Sequence, residues 1–563
     1  MDDLNSLSRG NMWNKIRERA AAHPNWLLAL AVLLALGPFL AKPFNMDDPL
    51  FIWTARQIHA HPMDPYGFNV NWDETASPMW SVTENPPLAS YYLALSAGIF
   101  GWSEIALHGA FLLPALAVIL GTYRLARRFC DPPLLATLAA LFTPVFLVSS
   151  STVMCDALML AFWVWAVVLW VEGMEREAFW PLAGAGLLIA LAALTKYYGA
   201  CLIPLLAVYS LTNKRRLGWW AASLLIPLLA LCAWQWATRT LYQHDLLLKA
   251  ADYASRKHNM SAGAKAAAGM TALSFTGGCL AMIVFLSPWL WRARALLSLL
   301  GVALLLAFVT FREGSLWQTY PWIQGWFGLA TEAQIILWAF GGMSVLALAV
   351  ADVWRHRDAC SWLLALWVVG TFIFTAALNW TVNGRSILPM APAVGILLTR
   401  RLQQRAGVSQ KKPAIGRRRI LIPLAAGAVF ASLVARSDYL LADAVRQSAL
   451  LAHERHGGSG HTLWFQGHWG FQYYMEQLGG QAVDTQQPPP RVGDVLAIPV
   501  NNTSLRFPGG PRQGFYVGEP RFLITQNMYV GAGFYSAVGG PLPFAFGHVP
   551  REYVTIYTLQ PGP

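Results

Sequence analysis

Runs of about twenty apolar residues recur from residue 26 to residue 436, and no other feature constrains the fold as tightly. Such a run crosses the hydrocarbon core of a bilayer as an α-helix, where every backbone polar group must be satisfied within the chain. About thirteen runs are read, at 26–41, 105–123, 133–149, 156–172, 180–195, 197–211, 219–237, 271–290, 295–311, 331–351, 360–378, 386–400 and 419–435. Composition agrees, with 56% hydrophobic and 12% charged residues, about half the charge of a soluble chain. Several of the 26 tryptophans, among them Trp219, Trp220, Trp289, Trp291 and Trp380, fall near run ends, where interfacial belts form. The sequence therefore predicts a polytopic α-helical membrane protein.

Lysine and arginine set its orientation. With the N-terminus inside and the runs alternating, most of them fall in inside segments. Examples are Arg124, Arg127 and Arg128, Lys214 to Arg216, and the basic stretch from Arg400 to Arg419. The net charge of +12 is thus explained by topology and calls for no nucleic acid. Lys15, Arg17 and Arg19 precede the first run, and no small-x-small cleavage pattern follows it before Lys42, which predicts an uncleaved first span. An odd number of spans places the C-terminal region outside.

The expected organisation is a cytoplasmic N-terminus over 1–25, a membrane region over 26–436 and a C-terminal extracytoplasmic α/β domain over 437–563. The first outside loop, 42–104, holds two amphipathic pieces with helical periodicity, at Leu50 to His61 and Pro87 to Phe100. In the tail, His461 to Gln466, Val492 to Val500 and Val554 to Leu559 read as strands, and Trp469 to Leu478 as a helix. Asn501 and Asn502 open two overlapping sequons, a pattern short enough to arise by chance. The six cysteines have no metal-ligand or disulfide spacing and read as packing residues.

Two adjacent carboxylates, Asp47 and Asp48, stand at the outer mouth of the first span. Ionised groups at that depth are costly and mark function, and partial desolvation makes a carboxylate a better general base. Pro49 follows, so an N-cap role for Asp48 is the alternative. Asp156 opens the fourth run after Ser149-Ser150-Ser151-Thr152 and reads as a third carboxylate of the same outer cavity or as a helix cap. Lys196 and Arg385 fall outside, where topology asks for no cation. Arg385 also starts a helix, the wrong end for positive charge unless an anion binds there. The two read as a clamp for a phosphate in the outer leaflet, with snorkelling or interfacial anchoring as the alternative. Tyr66, Glu84 and Asn85, in the first outside loop, are candidate acceptor or loop contacts. His59, His61 and Asp64 have unpersuasive metal spacing, and no metal site is expected.

These motifs in their order resemble glycosyltransferase family 39: an acidic pair after the first span, Pro86 to Tyr92, Met154-Cys155-Asp156, Thr195-Lys196, and Arg385 to Pro389. That family includes protein O-mannosyltransferases and bacterial aminoarabinose transferases. The resemblance covers about 40 to 400 and implies a GT-C-like fold in a bacterial inner membrane. It implies a polyprenyl-phosphate sugar as donor and an acceptor that is a lipid, a glycan or a protein. It further implies that Asp47 deprotonates the acceptor for inverting displacement. Asp48 stands where many members have Glu, and Asn85 where many have Lys or His. No cofactor is expected, and a divalent ion on the phosphate stays open. Without a Gly-rich phosphate loop, no nucleotide site is expected. The rival reading is a transporter or flippase of lipid-linked sugars, which would show paired repeats and broken helices at the midplane.

Overall fold

The computed structural model describes residues 23–214, 216–255, 262–312, 315–320, 328–407, 417–458, 461–500, 512–518, 524–526, 530–548 and 551–558. Nearly all of the expected cytoplasmic N-terminus and both sequons lie outside the described residues.

Every apolar run falls on helix. Seven described helices are long and apolar enough to cross a membrane: Glu104–Phe129, Cys155–Arg176, Trp219–Tyr242, Ala293–Arg312, Gly328–His356, Ala359–Leu378 and Ile420–His456. Counting each of two bent pairs as one span brings the number to at most nine: Pro133–Leu141 with Pro144–Ser150, bent by 61°, and Gly263–Cys279 with Met282–Leu290, bent by 86°. The first bend has a local cause. Pro144 cannot continue a helix, and Thr143 restarts one by accepting from the N–H of Phe146 at 3.3 Å. The other four runs fall on shorter or more charged helices: Pro24–Leu36, Phe179–Thr195, Leu202–Lys214 and Met390–Gly407.

Both amphipathic pieces of the loop over 42–104 are helices, Asp48–Ala60 and Leu88–Phe100, packed on each other. Between them β1 (Asn69–Asn71) and β2 (Ala76–Pro78) form an antiparallel hairpin. The tail folds as expected around β3 (Leu463–Phe465), helix Trp469–Gln477, β5 (Val495–Pro499) and β9 (Glu552–Thr558). With β4 (Gln481–Ala482) and β6 (Arg512–Val517) they make a mixed sheet of order β4-β3-β5-β9-β6. The pairs of β3 with β4 and β5 are parallel, and those of β9 with β5 and β6 antiparallel. β7 (Ile524–Thr525) and β8 (Ala545–Phe546) form a separate two-stranded sheet, with Ile524 and Ala545 in the core shared with the membrane helices.

The boundary expected at 437 falls inside a helix. Arg417–His456 runs 40 residues without a break, about 60 Å at the usual helical rise, so the sheet region is joined to the membrane region by a rigid rod. The two regions are also stitched side by side. Tyr474 Oη accepts from the N–H of Phe44 and donates to Glu104, both at 2.9 Å. Arg56 donates to Tyr473 Oη at 3.1 Å, and Gln472 to the carbonyl of Asn71 at 2.8 Å. Gly470 allows this approach, because a Cβ there would lie 2.3 Å from the carbonyl oxygen of Phe44.

Candidate functional site

Helix ends, the loop over 42–104 and the C-terminal segment together line a cavity of about 970 Å³. It is lined by Asp47, Tyr66, Glu84, Asn85, Lys196 and Arg385, six of the eight residues picked from the sequence. Asp47 and Arg385, 338 positions apart in the chain, form an ion pair at 2.8 Å. Lys196 pairs with Asp156 at 2.6 Å, and Glu84 with Lys249 at 3.1 Å.

Local chemistry explains how each side chain is presented. Asp47 is the N-cap of helix Asp48–Ala60, yet its carboxylate caps nothing and is left for Arg385. Met46 before it has φ of 51°, a left-handed conformation that bulky residues adopt at a cost and that clusters at functional sites. Arg385 sits in the short helix Gly384–Ile387, capped by the Asn383 side chain on the N–H of Ser386 at 2.8 Å. The sign conflict noted at this helix start is met by Asp47. The Arg385 guanidinium also lies over the ring of Tyr535, 5.7 Å from its centroid. Lys196 ends helix Phe179–Thr195 in an extended conformation, just before a 3₁₀ turn. Tyr66 Oη donates to the carbonyl of Asn85 at 2.7 Å and so fixes the segment that carries Glu84.

The expectation that three carboxylates share the cavity needs correction, because of the three only Asp47 lines it. Asp48 is fully buried and is not a helix cap. One oxygen accepts from the N–H of Asn45 and the other from that of Val153, each at 3.0 Å. It thereby ties the first loop to the turn before Asp156. Burial pushes its carboxyl up to about 7, against the pull of Lys42 and of those two N–H donors. Asp156 is also fully buried, bonded to Lys196, with its second oxygen unpartnered.

Sequence reasoning missed three parts of this site. Lys249, on helix Leu246–Ser255, lay in a loop of several cations with nothing to single it out. Lys42, Asp438 and Tyr535 form a buried network in which Lys42 pairs with Asp438 and Tyr535 donates to Asp438 at 3.0 Å. A lysine at the end of a span reads as a snorkelling residue, and Asp438 lies just past the last apolar run, after Arg436 and Ser437, where an acid is ordinary. The third part is the segment 530–546. The carbonyl of Phe534 accepts from the N–H of Gly384 at 2.8 Å, which holds the Arg385 turn against this segment. A Cβ at Gly384 would lie 2.6 Å from the Phe534 ring. Among the described residues, no group of three or more His, Cys, Asp or Glu is placed to hold a metal.

Fold and site together define a polytopic membrane protein with a GT-C-like fold. Residues 84–237 match the family model described as dolichyl-phosphate-mannose-protein mannosyltransferase, and the chain resembles glycosyltransferase family 39 as its motifs implied. A crystal structure of ArnT from Cupriavidus metallidurans bound to undecaprenyl phosphate is similar at 13% identity and a TM-score of 0.52, over 95% of this chain and 98% of that one. The oligosaccharyltransferase AglB from Archaeoglobus fulgidus aligns at 13% identity and a TM-score of 0.47, over 83% of this chain and 65% of that one. No curated protein sequence matches.

Proposed function

We propose that the protein is a membrane glycosyltransferase that moves a sugar from a polyprenyl-phosphate donor to an acceptor on the extracytoplasmic face. The reading rests on one observation: a carboxylate and two cations, from distant parts of the chain, meet in a single large cavity. The matched family and the undecaprenyl phosphate bound to ArnT support the choice of donor.

In this reading Arg385 and Lys196 take the donor phosphate, where negative charge develops as the sugar leaves. Arg385 then releases Asp47 from their ion pair, which leaves the carboxylate free to accept from the acceptor hydroxyl. The acceptor hydroxyl oxygen bonds to the anomeric carbon as the carbon–oxygen bond to phosphate breaks. The electron pair leaves on polyprenyl phosphate, and the hydroxyl proton passes to Asp47. Attack opposite the leaving group inverts the anomeric centre. Asp156 holds Lys196, and Asp48 holds the turn that carries Asp47; neither needs to touch substrate.

Asp47→Asn in the purified protein, supplied with polyprenyl-phosphate sugar, is expected to lower transfer by about 10²–10⁴-fold with an unchanged unfolding midpoint. Transfer at the wild-type rate would overturn the reading. Movement of lipid-linked sugar across a vesicle membrane, without any glycosylated product, would favour the flippase reading instead.

The arrangement in the membrane belongs to the same proposal: thirteen spans in a bacterial inner membrane, N-terminus cytoplasmic, residues 437–563 outside. Arg128, Arg176, Lys214 and Arg355 each lie in the last turn of a helix and none lines the cavity, the distribution that cytoplasmic loops carry. A reporter fused after residue 440 is expected to be active outside the cytoplasm, and activity inside would reject this topology.

A further inference from the structure

Beyond the loop over 42–104, which supplies Asn45 and Asp47, the cavity has two further walls. Lys196, Tyr197, Phe374 and Trp380 come from the membrane helices, whereas Trp469, Gln526 and Tyr553 come from the C-terminal sheet region. Its volume of about 970 Å³ is at the upper end for a small-molecule site, more than one sugar and one phosphate require.

Gln526 is the decisive residue of the second wall. It is only 5% exposed, and both its amide oxygen and its amide nitrogen lack a hydrogen-bond partner. Leaving both ends of a buried amide unmet is costly, so a built site is the economical explanation. Asn45, 3% exposed and in the same lining, also has an unpartnered side-chain oxygen. A group that satisfies these atoms must both donate and accept, as a hydroxyl does. Trp469 adds an aromatic face, held at φ of 61°, a conformation whose strain favours a functional explanation.

The charges argue for a neutral ligand. Among the described residues, the cations lining the cavity are Lys196, Lys249 and Arg385, and each already has a carboxylate partner. Lys196 and Arg385 are assigned above to the donor phosphate. An anionic acceptor would find no further cation without breaking the Glu84–Lys249 pair.

We infer that the wall formed by Gln526, Trp469 and Asn45 is a subsite for a neutral, hydroxyl-rich saccharide, the acceptor glycan. The inference rests on the glycosyltransferase reading and supplies its acceptor class. The lipid tail of the donor needs the membrane-helix side, which leaves the sheet side to the acceptor. A site built to bond hydroxyls rejects ligands that lack them far more strongly than an apolar pocket rejects a misfit.

The test reads binding rather than turnover, so it stands or falls separately from Asp47→Asn. The full chain in lipid nanodiscs is titrated with a panel of neutral disaccharides and with glucose 1-phosphate, followed by saturation-transfer NMR. At least one neutral disaccharide is expected to bind, with Gln526→Leu weakening it tenfold or more and Gln526→Asn less. Equal binding by wild type and Gln526→Leu, no disaccharide binding at all, or a preference for glucose 1-phosphate would each overturn the proposal. If Gln526→Leu fails to fold, the Gln526→Asn comparison decides. A short-chain polyprenyl-phosphate sugar should bind alongside the disaccharide. Competition between the two would assign the subsite to the donor sugar and overturn the acceptor assignment.

Discussion

Two ion pairs arise within five residues of each other and have opposite surroundings. Lys42 meets Asp438 in a site where each side chain is 1% exposed, whereas Asp47 meets Arg385 on a cavity wall with exposures of 32% and 15%. Tyr535 joins them, since its hydroxyl donates to Asp438 and its ring lies under Arg385. The difference teaches what burial does to a charge pair. Where no ligand can reach, the pair only holds two segments together. Where a cavity gives a competing anion access, the pair is displaceable, and displacement can be coupled to chemistry.

The sharpest way to break this contrast is to remove one partner of each. Lys42→Met leaves Asp438 as an uncompensated buried charge, which typically costs about 3–5 kcal/mol. It should show as a large fall in the unfolding midpoint or as failure to accumulate in the membrane. Arg385→Gln leaves Asp47 facing solvent in the cavity, so the fold should persist. Transfer should instead fall by about 10²–10³-fold, the usual loss when one charge-stabilising group is taken from a transition state. If Arg385→Gln unfolds the protein while Lys42→Met only slows it, the roles assigned to the two pairs are exchanged.

Asp48 sharpens the comparison through pH. Its carboxyl is pushed up to about 7 by burial, against about 3.9 for an unfolded chain. Between those values the folded protein holds a proton that the unfolded chain has released. Stability from this group is therefore full below about pH 4 and is lost as pH rises towards 7. The groups facing it are Lys42, Asp438 and the N–H donors of Asn45 and Val153. The difference in unfolding midpoint between wild type and Asp48→Asn, measured from pH 4 to pH 8, should change across that window and level off above it. A flat difference would mean that Asp48 stays ionised in the folded protein and belongs with the buried pair.

The membrane region was legible because its signal is local. Each apolar run reports its own helix, and β3, β5, β9 and helix Trp469–Gln477 followed from patterns of five to ten residues. Asp47, Lys196 and Arg385, which line one cavity, stand out for a related reason: each is a charge at or near the end of an apolar run. What stayed hidden depends on distant partners. Asp48 looks like Asp47 in sequence, and only the N–H of Val153, 105 positions away, withdraws it from the cavity. The segment 530–546 has no periodicity of its own, since its conformation is set by contacts such as that of Phe534 with Gly384.

The opposite end of the helix bundle supplies the smallest effect and the control for all the others. Helix Cys155–Arg176 has Asp156 in its first turn and Glu172 and Glu175 near its last, about 25 Å further along. There Arg128 bridges Glu172 at 3.3 Å and Glu175 at 3.0 Å. Geometrically these pairs resemble Asp47–Arg385, but Arg128 is not among the residues lining the cavity. Glu175 is half exposed, so water competes for the charges and salt screens them. Arg128→Ala should therefore cost no more than about 1 kcal/mol, diminishing further in high salt, and should leave transfer unchanged. A loss of transfer at this distance, with the fold intact, would mean that an ion pair can matter to the chemistry without a cavity beside it.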